Sequence, residues 1–374
     1  MSIKIQRLAG FEHYVRDLEA TRRFYIERMG LTEVGRSVDT QAQMRGHESR
    51  VFRAGNTSVV CSSPRNAASA ASRYLARHPD GIGSVIFEVA DIRRAFARLE
   101  HNGATPTGEI DLQKDAHGSI ESFAITTPFG DTLFRFIERR GYRGPLPGTE
   151  AYEPSGLDEL GLVDVDHITA NFRTMKPALL WLEHVLEFRP FWGVQFHTAG
   201  VGPELGTGLR SQVLWDPPSG IKIASNEPLR PGFERSQVNV FCEDNRGDGI
   251  QHVALGVRDI VHAVRTLRGR GVELMPAPAG YYRRLAQRLQ RLGIDSIDES
   301  PQLLEELGIL VDGSGPGAYL LQIFLQSSAH RLGKADAGPF FLELIQRRGD
   351  AGFGAGNFRA LFDSVERQQV AKAG

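Results

Sequence analysis

Three side chains that could bind one metal ion lie in strand-like segments of the second half of the sequence. Glu343 stands in the middle of an apolar run, where an unpaired carboxylate is costly. His167 and His252 each stand in the opening strand of a predicted strand–helix unit. Two imidazoles and one carboxylate leave three octahedral positions open, which is typical of non-haem iron(II) oxygenases, whereas zinc is more often four-coordinate. The alternative for Glu343 is a salt bridge to Arg347 or Arg348.

A repeat indicates how these three residues are brought together. The stretch GIGSVIFEVADIRRAFARLEHNGA, from Gly81, returns without gaps as GIQHVALGVRDIVHAVRTLRGRGV, from Gly249. Each half also opens with a strand and a helix and closes with a similar strand, LFRFIERRG in the first half and FLELIQRRG in the second. The sequence therefore predicts four strand–helix–strands units in two halves, joined by a Pro- and Gly-rich linker from Tyr142 to Pro154.

The two halves differ at the candidate ligands. In the first half the position of His252 holds Ser84, and the position of Glu343 holds Arg135. His13 is predicted to match the first histidine of the second half. A structural role should persist in both halves, whereas a metal site is needed in only one. We therefore predict a metal site in the second half and a buried or lid-facing His13 without metal.

Composition restricts the class of partner. The 374 residues include 44 basic and 45 acidic residues, and no block of like charge stands out. This balance predicts a small-molecule partner, with neither nucleic acid nor membrane. The start of the chain lacks the apolar region of a signal peptide, which predicts a cytoplasmic protein. Cys61 and Cys242 are the two cysteines, too few for a disulfide framework or a thiolate metal site.

The repeated unit resembles the vicinal oxygen chelate superfamily. That resemblance implies an α+β fold of four βαβββ modules, paired into two open, barrel-like sheet domains with a C-terminal gating helix. It divides the chain into residues 1–148, a domain without metal, and residues 149–374, a catalytic domain with an Fe(II) site and a lid. The lid follows a Gly-rich turn, and its predicted helix carries Phe358, Leu361, Phe362 and Val365 on one face.

A closer resemblance is to the 4-hydroxyphenylpyruvate dioxygenase family. The pieces VDHI, GIQHVAL, YYRRL, LEELGILVD, LLQIF, FFLELIQRRG and GFGAGNF occur in that family's order and spacing. The resemblance implies that His167, His252 and Glu343 bind Fe(II). It also implies polar residues that position the substrate or the iron-bound groups, namely Ser211, Asn226, Gln237, Gln251 and Gln322. The residues that match the aromatic walls and the gate are Phe324, Phe341, Phe353, Asn357 and Phe358.

The resemblance implies conversion of 4-hydroxyphenylpyruvate and O2 to homogentisate and CO2, a reaction of tyrosine and phenylalanine catabolism, in a homodimer or homotetramer. Three alternatives stay open: 4-hydroxymandelate synthase, a ring-cleaving catechol dioxygenase, and a metal-free small-molecule-binding protein. The NEP motif at Asn226 and the GAGNF motif ending in Phe358 favour the dioxygenase reaction over that of 4-hydroxymandelate synthase. Ala224 and Ser225, immediately before Asn226, depart from the family pattern.

Overall fold

The computed structural model of the protein describes residues 3–145, 149–152, 158–198, 206–278, 280–354 and 356–362. Val365 of the predicted lid helix, and Pro147 and Pro154 of the predicted linker, lie outside these ranges. Within them the strands form two sheets.

The first sheet has nine strands: β1 (Ile5–Tyr14), β2 (Thr32–Ser37), β3 (His47–Ala54), β4 (Thr57–Pro64), β5 (Gly81–Val89), β6 (Asp111–Asp115), β7 (Gly118–Ile125), β8 (Leu133–Arg140) and β9 (Thr149–Ala151). The second has eight: β10 (Leu162–Asn171), β11 (Arg189–His197), β12 (Gly208–Trp215), β13 (Lys222–Leu229), β14 (Gly249–Val257), β15 (Leu310–Gly315), β16 (Ala318–Phe324) and β17 (Phe341–Arg348).

The helices are α1 (Leu18–Arg23), α2 (Asp39–Arg45), α3 (Ala70–Leu75), α4 (Ile92–His101), α5 (Lys176–His184), α6 (Gln237–Asp244), α7 (Ile260–Gly269), α8 (Leu285–Arg291), α9 (Pro301–Leu307) and α10 (Ser328–Leu332). Short 3-10 helices cover Tyr282–Arg284 and Ala335–Ala337. Residues 356–362 are also helical, and we call them the gate helix.

The two sheets repeat one topology. The first has the order β6-β7-β8-β5-β1-β4-β3-β2-β9, and the second has the order β11-β12-β13-β10-β14-β17-β16-β15. Apart from the extra edge strand β9, each position in one sheet has its counterpart in the other. The predicted fold of four βαβββ modules in two barrel-like sheets is confirmed. β9 belongs to the predicted linker and pairs with β2, so the first sheet extends three residues past the predicted boundary at residue 148.

The start of each repeated helix is set by one aspartate. Asp91 accepts a hydrogen bond from the backbone N–H of Arg94 at 3.0 Å, and Asp259 accepts one from His262 at 2.9 Å. These bonds satisfy amide groups that have no partner within the helix. The helix after β1 is α-helical over Leu18–Arg23 and continues as a π-helix over Phe24–Arg28.

The strand register corrects one prediction about the repeat. On β10, His167 lies opposite Ala254 of β14, and on β1, Gly10 lies opposite Ile86 of β5. Ala254 and Ile86 are equivalent in the repeat, so the counterpart of His167 is Gly10. The prediction that His13 takes this place was wrong by three residues. An odd shift along a strand moves a side chain to the other face of the sheet.

His13 is a buried core residue. It is 4 % exposed, its ring lies 5.2 Å from that of Phe340, and neither ring nitrogen has a hydrogen-bond partner among the described residues. Burial, reinforced by Arg331, lowers the pKa of His13 to about 3. The imidazole is therefore neutral at physiological pH.

Candidate metal centre and substrate pocket

The three predicted ligands converge on neighbouring strands of the second sheet. His167 lies on β10, His252 on β14 and Glu343 on β17, and these strands are adjacent. The Nε2 atoms of His167 and His252 lie 3.4 and 3.2 Å from the same Glu343 oxygen. One ligand atom from each residue lies within 4.8 Å of the other two. All three side chains are buried, so this cluster can enclose a metal ion.

The alternative salt bridge for Glu343 is not formed. Arg347 pairs with Asp166 at 2.6 Å, and Arg348 pairs with Glu299 at 3.4 Å. The cationic partners available to Glu343 among the described residues are the two imidazoles. A buried carboxylate facing two histidine nitrogens is a donor set that suits a divalent cation.

Both imidazoles are oriented by a partner on the side away from Glu343. His167 Nδ1 lies 2.8 Å from an Asp166 oxygen, and His252 Nδ1 lies 3.0 Å from the Gln251 side-chain oxygen. When Nδ1–H donates to these acceptors, each Nε2 keeps a lone pair that points towards Glu343. This is the tautomer that a metal requires, and such outer partners fix ring orientation.

In the metal-free chain the pKa values of the two histidines shift in opposite directions. Burial alone would lower the pKa of His167, but the carboxylates of Glu343 and Asp166 outweigh it and raise that pKa. Burial prevails at His252 and lowers its pKa. Burial would raise the pKa of Glu343, but the two imidazoles hold it well below its usual value. The carboxylate is therefore ionised and ready to bind a cation.

Asp166 and Arg347 connect the metal centre to the turn before the gate helix. Arg347 donates two hydrogen bonds to Asp166, at 2.6 and 2.7 Å. It also donates to the carbonyl oxygens of Asp350 and Gly352, at 3.0 and 2.8 Å. One guanidinium thus holds both the carboxylate behind His167 and the turn that leads to the gate helix.

A second chain of polar contacts ties the gate helix to Glu343. Gln322 donates to the free oxygen of Glu343 at 2.8 Å and accepts a bond from Asn357 at 3.0 Å. The Asn357 oxygen in turn accepts from the Tyr281 hydroxyl at 2.6 Å. The Asp312 carboxylate accepts a hydrogen bond from the backbone N–H of Asn357 at 3.1 Å. This bond caps the start of the gate helix. The position of the helix is therefore coupled to the metal centre.

The remaining predicted polar residues form two groups. Gln251 donates to Gln237 at 3.2 Å, which continues the chain behind His252. Ser211, Asn226 and Asn171 lie side by side on β12, β13 and β10. Asn226 donates to Asn171 at 3.0 Å. The Ser211 hydroxyl, the Asn226 oxygen and the Asn171 nitrogen are buried without a partner among the described residues. Buried polar atoms left unpaired in this way fit hydrogen bonds to a ligand.

Several of the residues predicted as aromatic walls lie beside the candidate metal ligands. Phe341 stacks on His252 with ring centroids 5.0 Å apart, and Phe324 approaches the same imidazole edge-on at 6.0 Å. Phe353 lies 4.5 Å from the His167 ring. Phe358 packs edge-on against Trp192 at 6.1 Å. Phe341, Phe324 and Phe353 therefore give the two imidazoles apolar surroundings.

Sequence reasoning missed several residues that complete this site. They are Asn171, Asp166, Tyr281, Trp192, Asp312 and the role of Arg347. Two of them had a local signal, because Asp166 directly precedes His167 in the VDHI motif and Tyr281 lies in YYRRL. The partners of Arg347 and Asp312 are distant in sequence, so only the fold brings them together.

Comparison with known proteins identifies the class and then the family. Residues 7–133 and 164–287 match the model of the Glyoxalase/Bleomycin resistance protein/Dioxygenase superfamily, which agrees with the paired modules. A solved 4-hydroxymandelate synthase mutant from Streptomyces coelicolor has the same fold, with a TM-score of 0.81 at 24 % identity over 98 % of this chain and 99 % of that one. No helix among the described residues is long and apolar enough to span a membrane.

Curated relatives are more specific. The 4-hydroxyphenylpyruvate dioxygenase of Dictyostelium discoideum is 33 % identical over 97 % of this chain and 98 % of its own length. That of Coccidioides posadasii is 32 % identical over 98 % and 94 %, and that of Caenorhabditis elegans is 37 % identical over 79 % and 75 %. The chain belongs to the 4-hydroxyphenylpyruvate dioxygenase family, and the predicted family is confirmed.

Proposed function

We propose that this chain is an Fe(II)-dependent dioxygenase that converts 4-hydroxyphenylpyruvate and O2 into homogentisate and CO2. The buried His167–His252–Glu343 cluster carries this proposal, because a set of two histidines and one carboxylate leaves room for a chelating substrate and for O2. Family membership supports the choice of substrate. We also propose that residues 149–374 form the catalytic domain and that the enzyme works as a homodimer or homotetramer.

The metal would bind at the Nε2 atoms of the two histidines and at Glu343. Iron(II) held there supplies the binding of the 2-oxo acid and the activation of O2. The protein's part is to hold the ligands in place: Asp166 and Gln251 keep both imidazoles in the metal-binding tautomer. No separate 2-oxoglutarate is required, because the substrate carries its own 2-oxo acid.

The pocket residues suit a phenol with a short acidic side chain. Ser211 and Asn226 offer buried, unpaired polar atoms that can bind the substrate's oxygen atoms without adding charge. Phe324, Phe341 and Phe353 supply apolar walls against which a ring can pack. Gln322 already forms hydrogen bonds with Glu343 and Asn357. Its role is therefore to hold the metal ligand Glu343 and the gate helix in place.

The gate helix must move for the substrate to enter. The three candidate ligands are 1 to 3 % exposed, so the described residues cover them almost completely. We propose that closure keeps water from the reacting centre. Replacing Phe358 with alanine should then uncouple O2 consumption from homogentisate formation, whereas unchanged coupling would contradict this role.

The deciding experiment identifies the aromatic product. The protein is loaded with Fe(II) without oxygen, mixed with 4-hydroxyphenylpyruvate and exposed to O2, and the product is separated and weighed by mass spectrometry. Homogentisate supports the proposal. 4-Hydroxymandelate would instead assign the synthase reaction, which uses the same fold, and would overturn the role given to Asn226 and Phe358. No turnover by iron-loaded protein would overturn the substrate.

A further inference from the structure

The first sheet encloses a cavity that the proposed reaction does not use. Its volume is about 680 Å³, and residues of β1, β4, β5, β7 and β8 line it. Pockets for small organic ligands typically measure about 300–1,000 Å³. Because the two sheets share one strand order, this cavity occupies the place in the first half that the metal centre occupies in the second.

Substitutions at equivalent positions explain why the cavity is open. Phe324 lies opposite Glu343 in the second sheet, and Ala124 lies opposite Arg135 in the first. An alanine therefore stands where a phenylalanine ring fills the metal centre. Gln322 is likewise replaced by Ser122, which also lines the cavity.

One equivalent position carries opposite charges in the cavity and in the metal centre. Arg135 takes the place of Glu343 and makes no hydrogen bond or ion pair with any residue in the described ranges. Arg45 donates to the Gln113 side chain at 3.1 Å, and no described carboxylate lies within 4.0 Å of it. The opposing acid is Glu12, which accepts a bond from the Ser62 hydroxyl at 2.7 Å. Arg135 is therefore a half-buried cation without a paired carboxylate in the described part of the chain, whereas Arg45 is exposed.

The other charged groups around the cavity do not pair with Arg135. Burial lowers the pKa of His47, so its imidazole is neutral at pH 7. The charged residues at the mouth are exposed, and solvent screens them. They are Arg45, Arg73, Arg77, Glu109, Asp111 and Asp131. Arg77 and Asp131 also pair with each other at 2.7 Å.

Apolar side chains form one part of the wall. Val60, Ile86, Ile120 and Ile137 line the cavity and belong to one buried cluster. An anion without an apolar part would leave this wall uncovered. We propose that the cavity binds a small organic carboxylate, with its anionic group at Arg135 and Arg45 and its apolar body against this cluster.

Calorimetric titration with 3-phenylpropionate tests the site. The full chain is used in two forms, the metal-loaded wild type and the His252→Ala variant, whose metal centre is disabled. We expect saturable binding of one equivalent that persists in His252→Ala, and much weaker binding of the neutral 3-phenylpropionamide. A parallel titration of His252→Ala with 4-hydroxyphenylpyruvate shows whether the reaction's own substrate or an unrelated acid fits better, and tighter binding of either one supports the site.

Two variants of the cavity decide the assignment. Arg135→Gln removes an unpaired cation and should weaken binding by about tenfold or more, since hydrogen bonds to charged groups are strong. Ala124→Phe should block the cavity as Phe324 fills the metal centre. Arg53→Gln, an exposed arginine of β3, is the matched control and should bind normally. Circular dichroism checks the fold of each variant. Absence of binding in His252→Ala, or wild-type binding by a folded Arg135→Gln, would overturn the proposal.

Discussion

Replacing Asp166 with asparagine should weaken metal binding without removing a metal ligand. The Asp166 carboxylate accepts a hydrogen bond from His167 at 2.8 Å and two from Arg347, at 2.6 and 2.7 Å. An asparagine keeps the size of the side chain but has one oxygen and no charge. At least one of these bonds is lost, and His167 is no longer held in its metal-binding tautomer.

The expected loss follows from the position of Asp166 behind a ligand. Removing the outer partner of a metal-binding histidine typically lowers metal affinity by about 10- to 100-fold. The side chains of Asp166 and Arg347 are 13 % and 21 % exposed, so solvent weakens the electrostatic part of their interaction. We therefore expect a loss near the lower end, about 10- to 30-fold.

Anaerobic titration of the metal-free protein with Fe(II) or Co(II) measures this affinity directly. Asp164→Asn is the matched control, because Asp164 lies two residues earlier on the same strand with its side chain exposed. That variant should bind metal as the wild type does. Wild-type affinity in Asp166→Asn, or an equal loss in Asp164→Asn, would refute the orienting role of Asp166.

Three further predictions concern other parts of the molecule. Glu343→Gln should abolish stoichiometric metal binding in the same titration, because an amide cannot supply the negative charge; retained binding would remove Glu343 from the ligand set. Tyr281→Phe removes the hydroxyl that bonds to Asn357. It should speed hydrogen exchange in the gate helix by about tenfold, and unchanged exchange would show that this bond does not hold the helix. His13→Leu should reduce acid sensitivity: the folded protein keeps His13 neutral down to about pH 3, while the unfolded chain takes up a proton below about pH 6.5. The wild type therefore loses stability as pH falls below 6.5, by about 2 kcal/mol at pH 5, and urea unfolding at pH 7.5 and 5 should show a smaller loss in the variant.

The sequence predicts the modules of this fold well because each one carries its own local signals. Asp91 and Asp259 mark the same helix start in two copies, and the copies align without gaps. The replacement of Glu343 by Arg135 follows from the similarity of the two closing strands, LFRFIERRG and FLELIQRRG, and the pairing of β8 and β17 agrees with it. Repeated local signals of this kind do not depend on the rest of the fold.

Strand register is harder to predict, as His13 illustrates. The opening strands of the two halves have few identical residues, and a histidine in each suggested the wrong alignment. Register is decided by which face of a strand is buried and by the neighbouring strands. The opposing residues Ile86 and Ala254 determine it here, and their pairing appears only in the folded sheets. The same holds for Arg347, whose partner Asp166 lies 181 positions away along the chain.

The dual contact of Arg347 has a thermodynamic consequence. Its guanidinium bonds to Asp166, behind a candidate metal ligand, and to the backbone of the turn that carries the gate. Two equilibria that share one group are linked, and linkage is reciprocal. If metal binding changes the equilibrium constant for closure of the gate by some factor, closure must change the affinity for the metal by the same factor. If the proposed closure of the gate is favoured by bound metal, the metal is expected to leave mainly from the open state, when the pocket is empty.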